Sequence, residues 1–341
     1  MEGKERIYEY DALRILACAM IVAMHSPMPT VAASGLLLSS VSFFTQPGIG
    51  LFFMLSGALL IPRGGGRVFL KQRFGKIAAP ILVWTAFYLV LTWSREGWAT
   101  DWWRTLLSIP LANQGHGVLW FMYTLAGLYL LTPILTRWLE NSGREETRFY
   151  LTLWAVTLAY PLLRLVVEVN EGVTGLLYYF TGYAGYYVLG YYMTRYKGRP
   201  GWKPVVALLP VVVATPVALK LGGVKVDFYA HFGYLSLFCL VQTVAWFKAG
   251  LKWGGSIIAG ERTKRVAARI SNLAFGIYLV HIFIMRELVW KADAVAGIGN
   301  YALQCTVIFT LTAVLSVAAA QLLSLLPGGQ YIVGYRTRLK R

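Results

Sequence analysis

The sequence predicts an all-α, polytopic integral membrane protein with about ten transmembrane helices and both termini cytoplasmic. Three observations predict it: an apolar composition, repeated apolar runs of membrane-crossing length, and basic residues concentrated in alternate connections. Of the 341 residues, 57% are hydrophobic and 14% charged, and the mean hydropathy is +0.57. One water-soluble core of ordinary composition cannot enclose that much apolar surface, so the chain needs lipid as a solvent. A hydrocarbon layer of ~30 Å takes ~20 helical residues to cross, and runs of that length recur along the chain. Strand-like alternation is absent, so helices rather than a barrel must satisfy the backbone.

The elements follow in order from these runs and their boundaries. The first span, near 11–29, follows Lys4 and Arg6. The second and third, near 43–62 and 77–94, are joined through Arg63, Arg67, Lys71, Arg73 and Lys76. Arg137, Arg144 and Arg148 lie between the fourth and fifth, near 118–137 and 149–167. The sixth and seventh, near 174–194 and 204–221, meet at Arg195, Lys197, Arg199 and Lys203. Between the eighth and ninth, near 228–247 and 271–290, stand Lys248, Lys252, Arg262, Lys264, Arg265 and Arg269. The tenth, near 301–326, precedes Arg336, Arg338, Lys340 and Arg341. On the opposite side there are only Arg95, Arg104, Arg164, Lys220, Lys225, Arg286 and Lys291. Basic residues accumulate in cytoplasmic connections, so both termini are read as cytoplasmic and the chain as a multi-pass protein of the inner (plasma) membrane.

That asymmetry also accounts for the net charge of +17. The basic residues form no domain interleaved with aromatics, which argues against nucleic acid as a partner; attraction to anionic lipid headgroups is a secondary effect. Trp102, Trp103, Trp202 and Trp253 stand near the ends of apolar runs, as interfacial anchors do. Cys18, Cys239 and Cys305 lie inside apolar stretches without metal-like pairing and read as packing residues, with no disulfide framework and no metal. The small residues Ala32, Ala33 and Ser34 behind the first run resemble a cleavage site, but Glu2, Glu5, Glu9 and Asp11 are wrong for a signal peptide. The expectation is a single membrane-embedded domain over 1–341.

Ionisable residues inside lipid are costly, which makes each a candidate for function. Arg14 and His25 are eleven residues apart in the first span. At 100° per residue they fall about 20° from the same helix face, separated by a rise of ~16 Å. A cation near the cytoplasmic mouth and an imidazole at depth suit an anionic donor with a reactive far end. The alternatives are a snorkelling Arg14 that sets orientation and a His25 that bonds to a neighbouring helix.

The segment YDALRILACAMIVAMHS (Tyr10 to Ser26) resembles the start of the membrane-bound acyltransferase-3 family, whose signature is a basic residue, ten intervening residues and a histidine; Arg14 and His25 match it. Further blocks agree in order: GIGLFFMLSGALLIP from Gly48, KQRFGKIAAPILVW from Lys71, LWFMYTLAGLYLLTPIL from Leu119, GYYVLGYYM from Gly185 and LAFGIYLVHIFIM from Leu273. The resemblance implies an O-acyltransferase that moves an acyl group, with acetyl preferred here, from acyl-CoA to a hydroxyl of a cell-surface or lipid-linked glycan. It implies an essential histidine and a donor met from the cytoplasm. Acetyl-CoA is then a donor substrate, and no cofactor is permanently bound.

Arg73 and Lys76 are one turn apart and could hold the donor's phosphates, although the family has R-x-x-R there and Lys76 lacks the bidentate fork of arginine. A positive-inside cluster without a ligand is the alternative. His281, about ten residues into the ninth span, is a possible second site residue or a histidine bonded across helices. His116 and His231 fall at outer ends of spans and need no role. The RGGGR run from Arg63 lacks the ending of a phosphate loop, and Ser56 has no nucleophile elbow; it and Gly57 read as close helix packing. Two other classes remain open: a polytopic transporter using the same intramembrane polar residues, and a scaffold without chemistry.

Overall fold

The computed structural model describes residues 6–28, 35–64, 66–98, 100–111, 119–196, 202–224 and 227–337. His116, Lys4, Ala32, Ala33, Ser34, Lys197, Arg199, Lys225, Arg338, Lys340 and Arg341 lie outside those residues. Helices follow one another as α1 (Tyr8–His25), α2 (Gly35–Thr45), α3 (Pro47–Leu60), α4 (Gly66–Glu96), α5 (Trp102–Ser108), α6 (Trp120–Asn141), α7 (Arg144–Thr157) and α8 (Tyr160–Leu163). They continue as α9 (Ala184–Arg195), α10 (Trp202–Leu221), α11 (Phe228–Phe232), α12 (Leu237–Ile257), α13 (Glu261–Ile284), α14 (Asp293–Ala296), α15 (Tyr301–Leu325) and α16 (Gly329–Val333). No strand occurs among the described residues, as the patterning requires. Among the described residues, four stretches are long and apolar enough to cross a membrane: Leu38–Arg63, Gly66–Glu96, Glu261–Val289 and Tyr301–Leu325.

Helix α15 carries the imprint of lipid most clearly. Its buried residues are Gln304, Ile308, Thr312, Ser316, Ala320 and Ser324, while Leu303, Leu311, Val314, Leu315 and Leu322 are exposed. Most of the inward residues are polar or small and the outward face carries large apolar side chains, the reverse of a helix in water. Trp102, Trp103 and Trp253 are likewise exposed, as interfacial anchors must be.

Several boundaries differ from the sequence expectation, and proline chemistry explains most of the differences. Helix α1 ends at His25 rather than near residue 29, because Pro27 has no N–H to give the Ala23 carbonyl. The Ser26 N–H takes that carbonyl instead at 3.1 Å, closing the helix with a tighter turn. The second span begins earlier, through α2, and bends at Gln46 before Pro47. The fifth breaks after Thr157 into the single turn α8, which contains Pro161. The sixth keeps only the 12 residues of α9, ~18 Å of helix and shorter than a hydrocarbon layer. Arg73 and Lys76 lie within α4, which begins at Gly66 and not near residue 77.

The chain divides into two compact units, Met1–Arg63 with Ile134–Ser271, and Gly64–Pro133 with Asn272–Arg341. In the first, α1, α3, α9 and α12 pack together, and Leu13, Ile21, Leu51, Phe53, Met54, Tyr186, Tyr187 and Phe247 are fully enclosed. Close approach of α3 and α9 depends on two glycines: a Cβ on Gly57 would overlap the Tyr187 carbonyl, and one on Gly190 the Met54 carbonyl. The packing role read for Gly57 is thus met by backbone-to-backbone contact. Gly57→Ala should lower thermal stability in detergent by about 1–3 kcal/mol. Gly127→Ala, where nothing lies within 4 Å, should instead be neutral or stabilising by up to ~1 kcal/mol through helix propensity; equal effects at the two positions would contradict this account.

In the second unit, α16 packs against α4 and α15. Trp84 Nε1 donates to the Ile332 carbonyl at 2.8 Å, and Tyr88 donates to Leu279 at 3.1 Å. None of the three cysteines is in a disulfide; Cys18 and Cys239 are buried and Cys305 half-buried.

Candidate functional site

Helix α1 organises the first unit's candidate site, since it carries Arg14 in its second turn and His25 as its last residue. The helix is continuous between them, so the rise of ~16 Å and the shared face hold.

At the Arg14 end, the organising group is Asp11. Its carboxylate is only 4% exposed. Arg6 grips both oxygens, Nε to Oδ2 at 2.5 Å and Nη2 to Oδ1 at 2.9 Å, and also donates to the Ala268 carbonyl at 3.1 Å. Ser271 of α13 donates to Asp11 Oδ1 at 2.6 Å and accepts from Arg14 Nη1 at 2.8 Å. The Arg14 guanidinium lies 3.8 Å from the same carboxylate oxygen and keeps 28% of its side chain exposed. One buried anion thus fixes two arginines, directly for Arg6 and through a hydroxyl for Arg14. Arg14 is held at a set position by Ser271 and Asp11. Sequence reasoning missed this role of Asp11; the signal was a carboxylate three residues before an arginine, a spacing that places the two side by side on a helix.

Beside this end of α1 opens a cavity of about 510 Å³. Tyr10, one turn before Arg14, stands in its wall together with Thr136, Glu140, Tyr191, Arg195 and Tyr196. Thr194 of α9 stands in the same wall, its hydroxyl bonded to the Gly190 carbonyl at 3.0 Å.

At the other end, His25 is half-buried. Its neighbours are fixed on both sides: Ser26 Oγ donates to the Val22 carbonyl at 2.8 Å, and the Met24 sulfur accepts from the Tyr234 hydroxyl at 3.2 Å. The imidazole therefore projects from a closed, braced helix end and not from mid-helix.

In the second unit, Arg73 lies in the inward stripe of α4 with Phe69 and Ile77 and is half-buried, whereas Lys76 at the stripe's edge is exposed. His281 of α13 is fully buried. Its Nδ1 lies 2.5 Å from the Tyr278 carbonyl; a carbonyl only accepts, so Nδ1 carries a proton. A π-helical turn, Met285–Val289, follows directly. The structure thus joins Arg14 to His25 through α1 and Arg73 to Lys76 through α4. His231, outside this set, has its Nδ1 2.7 Å from the Asp227 carbonyl. Among the described residues no three His, Cys, Asp or Glu side chains gather as a metal site.

Comparison with known proteins adds one strong match. A family model described as an acyltransferase domain matches residues 7–325, nearly the whole chain, with Arg14, His25, Arg73, Lys76 and His281 inside the match. No curated protein and no solved structure matches significantly.

Proposed function

The chain belongs to the acyltransferase-3 family of membrane acyltransferases, and on that premise we propose that it transfers an acyl group, acetyl first among the candidates, from acyl-CoA to a hydroxyl of a cell-surface or lipid-linked glycan. The observation that supports this reading is the unbroken helix that holds Arg14 and His25 on one face, ~16 Å apart, a separation that an extended pantetheine arm can bridge. In this reading the chain crosses the bacterial inner membrane about ten times with both termini cytoplasmic, the donor enters from that side, and no cofactor is resident.

The donor's phosphates are held by Arg14, Arg73 and Lys76, with Arg73 contributing the two-pronged contact that Lys76 lacks. His25 takes the proton of the acceptor hydroxyl as its oxygen attacks the thioester carbonyl. The tetrahedral adduct collapses with loss of the CoA thiolate, and the imidazolium returns the proton to that sulfur. His281 is a second site residue.

The direct test is incubation of membranes containing the chain with acetyl-labelled acetyl-CoA and a surface-glycan preparation. Label should move into the glycan as an ester released by mild alkali; label that stays in CoA with every glycan tried would overturn the reading. For the donor side, Arg14→Ala should raise the KM for acyl-CoA roughly 10- to 100-fold, as expected for one hydrogen bond between charged groups, while kcat falls less. An unchanged KM would return Arg14 to a purely structural role.

A further inference from the structure

A second cavity, of about 270 Å³, lies in the same unit as α1 and is built from the segment that follows α7 together with the segment around α11. Its wall carries the rings of Tyr160, Tyr183, Tyr229 and Tyr234, and the paired charges of Arg164 and Glu171, whose Nε and Oε1 stand 3.1 Å apart. The frame is set by hydrogen bonds from outside the cavity. Trp154 Nε1 donates to the Gly182 carbonyl at 2.9 Å, Tyr186 donates to the Tyr234 carbonyl at 2.9 Å, and the Leu237 N–H donates to Leu158 at 3.0 Å. Tyr234, part of the wall, donates to Met24, the residue before His25. The cavity is therefore fastened to the His25 end of α1, while the larger cavity beside Tyr10 sits at the opposite end.

The lining is specific about what it could hold. At about 30 Å³ per water, the volume accommodates roughly nine waters, enough for one pyranose ring. Aromatic faces offer flat apolar surface to the C–H face of a sugar, and their hydroxyls offer donors and acceptors. The guanidinium and carboxylate provide planar, two-pronged partners for neighbouring hydroxyls. Because one cation is balanced by one anion, the cavity has no excess positive charge for a phosphate and none of the purely apolar character an acyl chain requires. We infer that this cavity binds a single neutral sugar ring of the acceptor and presents the attached chain to His25. The inference rests on the acyl-transfer reading for its role, but the binding itself needs neither donor nor turnover.

The test is saturation-transfer NMR on the purified full chain in detergent, with the methyl pyranosides of glucose, galactose, mannose and N-acetylglucosamine as probes. At least one should receive saturation at its ring protons. Tyr229→Ala, at a ring that is 62% exposed and so tolerant of change, should reduce that transfer at least fivefold, and Arg164→Ala should do the same. Absence of transfer to all four probes would overturn the proposal. So would transfer that neither substitution reduces, or transfer abolished by millimolar inorganic phosphate. Sugar binding that persists in a protein unable to move label from acetyl-CoA would instead sink the acyl-transfer reading and leave the cavity's assignment standing.

Discussion

His25→Ala should lower acyl transfer by roughly 10²–10⁴-fold, the range for loss of a positioned general base, equivalent to about 3–5.5 kcal/mol of transition-state stabilisation. The expectation follows from where the imidazole sits. It ends a helix whose last turn is closed by Ser26 and whose preceding residue, Met24, is held by Tyr234; these two bonds remain when the imidazole is removed. A role in the chemistry requires that the substitution leave expression, thermal stability in detergent and acyl-CoA affinity close to those of the unaltered chain. Activity assayed in membranes at matched protein level separates the outcomes. A variant that retains more than a tenth of the activity removes His25 from the chemistry, and one that is lost from the membrane shows that the residue packs rather than reacts.

Asp11→Asn should have the largest structural effect of any single isosteric change in the first unit. The substitution keeps the shape but discards the charge that holds Arg6 by two bonds and Arg14 through Ser271. Breaking a fully enclosed ion pair costs ~3–5 kcal/mol; here about 2–3 kcal/mol is expected, because the arginines keep 35% and 28% of their side chains exposed. Thermal unfolding in detergent should therefore shift down by several degrees. A merely structural role would end there. Because Asp11 sets the position of Arg14, the variant should also raise the KM for acyl-CoA with a smaller change in kcat, and Ser271→Ala should reproduce the KM effect more weakly. Unchanged stability would contradict the network, and lowered stability with an unaltered KM would confine Asp11 to folding.

How much of this was legible in the sequence depends on the range of the interactions involved. The α-helical class, the continuous α1 with Arg14 and His25 on one face, and the glycine packing of α3 all follow from local spacing and composition. Helix ends were displaced where a proline removed one backbone donor at the end of a run, as at Pro27, or where a break such as Leu158–Ala159 sits inside an otherwise apolar run, whereas Pro80 and Pro133 stand inside continuous helices. The Arg14–Ser271 bond joins residues 257 positions apart, and no periodicity marks such a pair. The cavity beside Met24 was hidden for a related reason. Residues 164–183 are apolar and aromatic enough to pass for parts of two spans, yet they form turns that bring Arg164, Glu171 and Tyr183 to the wall of a pocket.

The central claim, that this chain is a transferase using acyl-CoA and His25, is tested most directly by release of free CoA thiol from acetyl-CoA by the purified protein in detergent, with and without a glycan acceptor. No membrane separates two compartments in that assay, so a transporter has no gradient to act on. The account predicts thiol release that depends on the acceptor and disappears in His25→Ala. Thiol release absent with every glycan, or undiminished in that variant, would contradict it.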